Sequence, residues 1–97
     1  MIIINGEARL KIGKSASRKL RRIDNKIPGI IYGLKKDILY ISLDHDTIFN
    51  LQENEKFYTD SLMLRILDKK YLVSVQSVQR HCFKKKILHV DFLYKKN

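Results

Sequence analysis

Short segments with a two-residue period recur along the whole chain, with few helical stretches between them. Successive side chains of a strand point to opposite faces, so alternation of apolar and polar residues marks a strand with one buried face. Ile2, Ile4, Gly6, Ala8 and Leu10 share one face, with Asn5, Glu7 and Arg9 on the other, so Arg9 is expected to point outward. Ile30-Ile31-Tyr32 reads as a short strand ended by Gly33, Ile38 to Leu43 as another and Leu62 to Leu67 as a further one, with Asp68-Lys69-Lys70 as the following turn. Tyr71 to Arg80 is long and β-rich. Tyr71, Val73 and Val75 keep one phase and Val78 breaks it, which predicts a β-bulge near Gln76-Ser77. One extra residue there lets both Gln76 and Gln79 face away from the core. In the last strand Leu88, Val90, Phe92 and Tyr94 are expected inward, and His89 and Asp91 outward.

Two stretches read as helix. Gly13 breaks the first strand, Ser15 can cap, and Ala16, Leu20 and Ile23 then recur at i, i+4 and i+7, with Lys14, Arg18, Arg21 and Arg22 on the opposite face. Asp44 can cap a short helix to about Glu53, with Ile48 and Leu51 inward. Asn25-Lys26-Ile27-Pro28-Gly29 reads as a turn, because proline removes a donor and glycine permits unusual dihedrals. Six strands and two or three short helices in this order do not alternate as β-α-β units. The expected fold is mostly β: a small six-stranded barrel, mainly antiparallel, which buries the apolar faces and hides the strand edges. At 97 residues and 44% hydrophobic, the chain suits one domain over 1–97 with one core.

Charge narrows the partners. Against 10 acids stand 20 Lys and Arg, a formal net charge of +10, and a small domain this basic repels itself unless a polyanion neutralises it. The bases crowd both ends, Arg9 to Arg22 and Arg80 to Lys96, while acids dominate from Asp37 to Asp68. Strand pairing between the termini would bring the basic ends together. No apolar run approaches a spanning length, and the opening Met1-Ile2-Ile3-Ile4 is too short for a signal-peptide core, so no membrane partner is expected. The single cysteine, Cys82, cannot form an internal disulfide, and a reducing, cytoplasmic setting is expected.

The outward polar residues mix cations with amides, a hydroxyl, an imidazole and a carboxylate. Cations neutralise phosphates, while amides and hydroxyls can bond base edges and ribose 2′-OH groups in the wide, shallow minor groove of A-form RNA. An ordinary solvated surface is the plainer alternative. Enzymatic signals are poor. His45 and Asp46 read as the solvated first turn of a helix, and His81, Cys82 and His89 lack paired ligand spacing for zinc. There is no Gly-rich phosphate loop. Tyr32, Phe57, Tyr58, Tyr71, Phe92 and Tyr94 are mostly core candidates and do not match the paired aromatics of an RRM sheet.

Gly13-Lys14-Ser15-Ala16-Ser17-Arg18-Lys19-Leu20-Arg21 resembles the N-terminal motif of the bacterial large-subunit ribosomal protein L twenty-five family. So do Pro28-Gly29-Ile30-Ile31-Tyr32-Gly33, Leu43-Asp44-His45-Asp46, Gln76-Ser77-Val78-Gln79-Arg80-His81 and His89-Val90-Asp91-Phe92, in the family's order and spacing. The resemblance implies a six-stranded barrel that binds the loop E region of 5S ribosomal RNA, largely through its minor groove, as a short single-domain form. Carried over by position, the RNA-contacting set is Arg9, Lys14, Ser17, Arg18, Arg21, Tyr32, Gln76, Gln79, Arg80, His89 and Asp91. Tyr32 joins that set on the resemblance alone. The expected protein is a non-catalytic ribosomal constituent, a monomer apart from the ribosome, with 5S RNA and neighbouring ribosomal proteins as partners. No cofactor, metal or small-molecule substrate is expected. The alternatives are a barrel that binds another structured RNA such as tRNA, and an RNA-processing enzyme.

Overall fold

The computed structural model describes residues 1–9, 18–19 and 25–96. Six strands run β1 Ile3–Ala8, β2 Lys26–Tyr32, β3 Leu39–Asp44, β4 Leu62–Ile66, β5 Lys69–Arg80 and β6 Ile87–Tyr94. They close into a barrel in the order β1-β3-β2-β6-β5-β4. Four seams are antiparallel: β1–β3, β3–β2, β6–β5 and β5–β4. The β1–β4 and β2–β6 seams are parallel. The expected mainly antiparallel barrel is therefore observed, and closure removes the unpaired edges that invite aggregation.

Alternation fills the interior. Ile4, Ile31, Ile41, Leu43, Leu64, Val73, Val90 and Phe92 are all essentially inaccessible to solvent and belong to one cluster. Burying each such side chain stabilises the fold by roughly 1.5–3 kcal/mol before ordering costs are set against it. Two short helices add to the same core. Helix α1, His45–Leu51, is capped as expected by Asp44, whose carboxylate accepts from the Thr47 N–H at 3.0 Å, and it buries Ile48. Helix α2, Glu55–Thr59, was not foreseen; Asn54 caps it and Phe57 is its buried residue.

Several expectations are corrected. Asn25 to Gly29 is not a turn. Asn25 takes a φ of 51°, which asparagine tolerates, and β2 starts at Lys26. Ile27, Pro28 and Gly29 are buried. Proline fits for a reason of register. The His45 N–H donates to the Asn25 carbonyl at 3.1 Å, so alternation puts Ile27 and Gly29 at the bonded positions opposite β3 and Pro28 at the non-bonded one. On its other side, pairing with β6 begins only at Gly29, so the missing N–H breaks no ladder bond.

The turn after β4 is Leu67-Asp68, not Asp68-Lys69-Lys70. Ile66 pairs with Lys69, and Leu67 takes a positive φ of 57°. In β6 the inward residue at the start is Ile87, while Leu88 is half-buried, because Gln79 pairs with His89 but Arg80 with Ile87, leaving Leu88 unopposed. Ala8, expected inward, is exposed at the end of β1. Among the described residues the first and last strands do not pair, since β1 lies between β3 and β4 whereas β6 lies between β2 and β5, and most of the N-terminal basic stretch lies outside the described residues. The expected helix from Ser15 to about Asn25 and the inward Leu10 fall mainly outside the described residues; Arg18 and Lys19 are helical and exposed.

Candidate nucleic-acid interface

The bulge predicted near Gln76-Ser77 is present. Val75 pairs with Phe92 and Ser77 with Asp91, so Gln76 is the residue without an opposite number. The extra residue returns Val78 to the core side, opposite buried Val90, and leaves Gln76, Ser77 and Gln79 exposed. A strand without the bulge would have put Gln76 and Gln79 on opposite faces.

The register extends this surface around the barrel. Gln79 pairs with His89 and Ser77 with Asp91. Asp91 pairs in turn with Ile30 of β2, and Leu93 with Tyr32. Ile30 pairs with Tyr40 of β3, whose carbonyl accepts from the Arg9 N–H at 2.8 Å. Residues opposite one another share a face, so Arg9, Tyr40, Ile30, Asp91 and Ser77 form one row on the outside of the barrel. Three strand spacings separate Arg9 from Asp91, roughly 14 Å measured around the curve. Tyr32 is half-buried on this outer surface rather than in the core. Arg9 is half-buried just beyond β1.

Asp91 and His89 are bound to each other. His89 Nδ1 lies 2.8 Å from Asp91 Oδ1, and the Ser77 hydroxyl donates to Asp91 Oδ2 at 3.1 Å. Both carboxylate oxygens are thus engaged, which fixes the imidazole at the centre of the patch. Ser77 was not singled out from sequence, although its place beside the predicted bulge was a usable signal. Tyr40, an exposed aromatic on the same row, was also missed; its alternation with Ile41 was the available signal.

Arg80 is placed differently from the amides. Its Nε donates to Gln52 Oε1 at 2.7 Å and its Nη2 to the Tyr58 hydroxyl at 2.7 Å, tying β5 to the α1–α2 segment. A guanidinium has five N–H groups, so these bonds leave others for a ligand. Arg18 is exposed, and Lys14, Ser17 and Arg21 lie outside the described residues.

The histidines first weighed for chemistry have structural partners. His45 is not a solvated first-turn residue: its Nε2 accepts from the Ile87 N–H at 3.2 Å, its Nδ1 lies 3.3 Å from Asp46 Oδ1, and its ring stacks on Phe49. The His81 Nδ1 accepts from the N–H groups of Phe83 and Lys84, each at 3.1 Å. Among the described residues, no group of three or more His, Cys, Asp or Glu could hold a metal ion. No helix among them is long and apolar enough to cross a membrane.

Comparison with known proteins finds close sequence relatives over nearly the full chain. A Large ribosomal subunit protein bL25 from Buchnera aphidicola subsp. Schizaphis graminum is 52% identical over 96 residues, 99% of this chain and 99% of its own length. The protein of that name from Buchnera aphidicola subsp. Acyrthosiphon pisum is 50% identical over 94 residues, covering 97% of this chain and 98% of its own. Its namesake from Photorhabdus laumondii subsp. laumondii is 50% identical over 93 residues, covering 96% and 98%. The model of the Ribosomal L25p family matches residues 4–92, the barrel from the second residue of β1 to Phe92 of β6, and the chain belongs to that family.

Proposed function

We infer that this protein is a non-catalytic constituent of the large ribosomal subunit in the cytoplasm, bound to 5S ribosomal RNA at the minor groove of its loop E region. The family and the names of its relatives support the ribosomal part. The observation that carries the RNA part is the outer face of β2, β6 and β5. There the bulge at Gln76 sets two uncharged amides beside the Ser77–Asp91–His89 chain. Amides offer donors and an acceptor without net charge, so they suit base edges and 2′-OH groups. The net charge of +10 supplies attraction to phosphates. Arg18, Lys14 and Arg21 are the proposed phosphate contacts, with Ser17, Arg9, Tyr32 and Arg80 completing the surface.

The direct test is chemical footprinting of isolated 5S RNA with the purified protein. Protection confined to loop E, on its minor-groove side, is expected. Protection elsewhere in the RNA, or none at saturating protein, would overturn the reading.

A further inference from the structure

The β5–β6 hairpin that carries Gln79 and His89 ends in a turn over 81–86 whose tip presents an aromatic ring to solvent. Phe83 is 91% exposed, more than any other large hydrophobic residue described. The turn is built rather than loose. The His81 N–H donates to the Lys86 carbonyl at 2.9 Å and the Lys86 N–H to the Lys84 carbonyl at 2.8 Å. From inside, the His81 ring holds the N–H groups of Phe83 and Lys84. With the backbone of the turn already pinned, binding has only its side chains left to order.

Its neighbours point to a polyanion. Lys84, Lys85 and Lys86 follow Phe83 and are exposed. They and Arg80 line an open hollow of about 360 Å³ in which Glu53 is the acid among the described residues. An apolar protein partner or a second copy of this basic chain would meet that charge unfavourably, whereas a nucleic-acid strand complements it. A ring can stack only on a base whose face is free, so the fitting ligand is an unpaired or bulged nucleotide rather than a regular duplex. Phe83 is four residues beyond Gln79, at most roughly 13 Å along the strand direction, so it can reach a nucleotide adjoining the groove proposed for the sheet.

We propose that the Phe83 turn is a second RNA contact, in which the Phe83 ring stacks on an unpaired base and Lys84, Lys85 and Lys86 neutralise the phosphates beside it. This rests on the reading that the protein binds 5S RNA, and deepens it by naming a contact outside the β-sheet face.

The test uses full-length protein, a 5S RNA transcript and three variants. Phe83→Ala and Phe83→Leu are expected to weaken binding on the order of tenfold, the scale of one lost base–aromatic stack. Phe83→Trp retains affinity. Because the chain has no tryptophan, that variant is also its own reporter, and its emission is expected to be quenched on RNA binding. Phe83 packs into no core, so the fold is retained in all three. Full affinity in Phe83→Ala, full affinity in Phe83→Leu, or unquenched emission from RNA-bound Phe83→Trp would each overturn the proposal. With a loop E footprint intact, those outcomes remove the second contact and leave the sheet reading standing. Absence of any 5S RNA binding by the unsubstituted protein overturns both.

Discussion

Gly29→Ala tests whether the β2–β6 seam is as tight as the structure has it. A Cβ built on Gly29 lies 2.9 Å from the Val90 carbonyl oxygen and 3.4 Å from Ile41 Cγ1. The first contact is shorter than real Cβ atoms show, and the obstacle is backbone in the paired strand, so no rotamer change relieves it. Either the two strands separate locally or the Val90 peptide tilts. Overpacking of this kind costs about 1–3 kcal/mol. Replacing glycine also restricts the unfolded chain, which returns about 0.4–1 kcal/mol. The expected net loss is about 1–2 kcal/mol, or roughly 5–15 °C in Tm for a domain of this size. Gly6→Ala is the matched control. Its Cβ meets Leu43 Cδ2 at 3.0 Å, the end of a side chain that can swing, and the Ser42 carbonyl only at 3.3 Å. The assay is urea unfolding followed by far-UV circular dichroism, with the slope unchanged between variants. Gly29→Ala within about 0.5 kcal/mol of the parent, or less damaging than Gly6→Ala, would refute the close approach and the register built on it.

Two further predictions concern single groups. Asp44→Ala removes the acceptor for the Thr47 N–H and hydroxyl, at 3.0 and 2.9 Å, and is expected to cost about 1 kcal/mol in urea unfolding, while Asp44→Asn, also a good cap, restores most of it. Burial, followed by the charges of Tyr71 and Asp37, raises the Tyr94 phenol above its ordinary value of 10.0, so the folded state favours the neutral form. That contribution is complete below the ordinary value and is lost as pH rises through the folded one. Urea midpoints should therefore fall more steeply at alkaline pH in the parent than in Tyr94→Phe, and identical slopes would contradict the burial of the hydroxyl.

Much of the barrel was legible because its signals are local. Alternation located all of the strands in part, and the phase break between Val75 and Val78 revealed the bulge that turns Gln76 and Gln79 outward. The Asp44 cap was legible for the same reason, as a short-range bond between a side chain and the next turn. What failed depends on partners distant in sequence. Pro28-Gly29 is turn chemistry by composition, yet it forms a strand because proline falls at a non-bonded position and glycine admits the close approach of β6. The slip from Leu88 to Ile87 arises from a second irregularity whose only evidence is the cross-strand register. Helix α2 has five residues and a single buried anchor, Phe57, too little for a periodic signal. Within the candidate site, exposure of the two amides followed from periodicity. The Ser77–Asp91–His89 chain and the ties of Arg80 to Gln52 and Tyr58 did not, because they join strands and helices that only the closed barrel brings together.

On the proposed reading, the amides of β5 read RNA while the cations merely attract it. Paired titrations of Gln79→Ala and Arg18→Ala with 5S RNA and with an unrelated RNA duplex, each over a salt series, separate the two roles. Gln79 is exposed opposite His89 and carries no charge, whereas Arg18 is an exposed cation. Gln79→Ala is expected to weaken 5S RNA binding by about 1–3 kcal/mol, the scale of one lost base-edge contact taken from DNA readout. It should leave the unrelated duplex and the salt slope unchanged. Arg18→Ala is expected to weaken both RNAs and to lower the slope of log K against log salt by a little under one unit. Equal weakening of both RNAs by Gln79→Ala would contradict the account, making the bulged strand a scaffold rather than a reader.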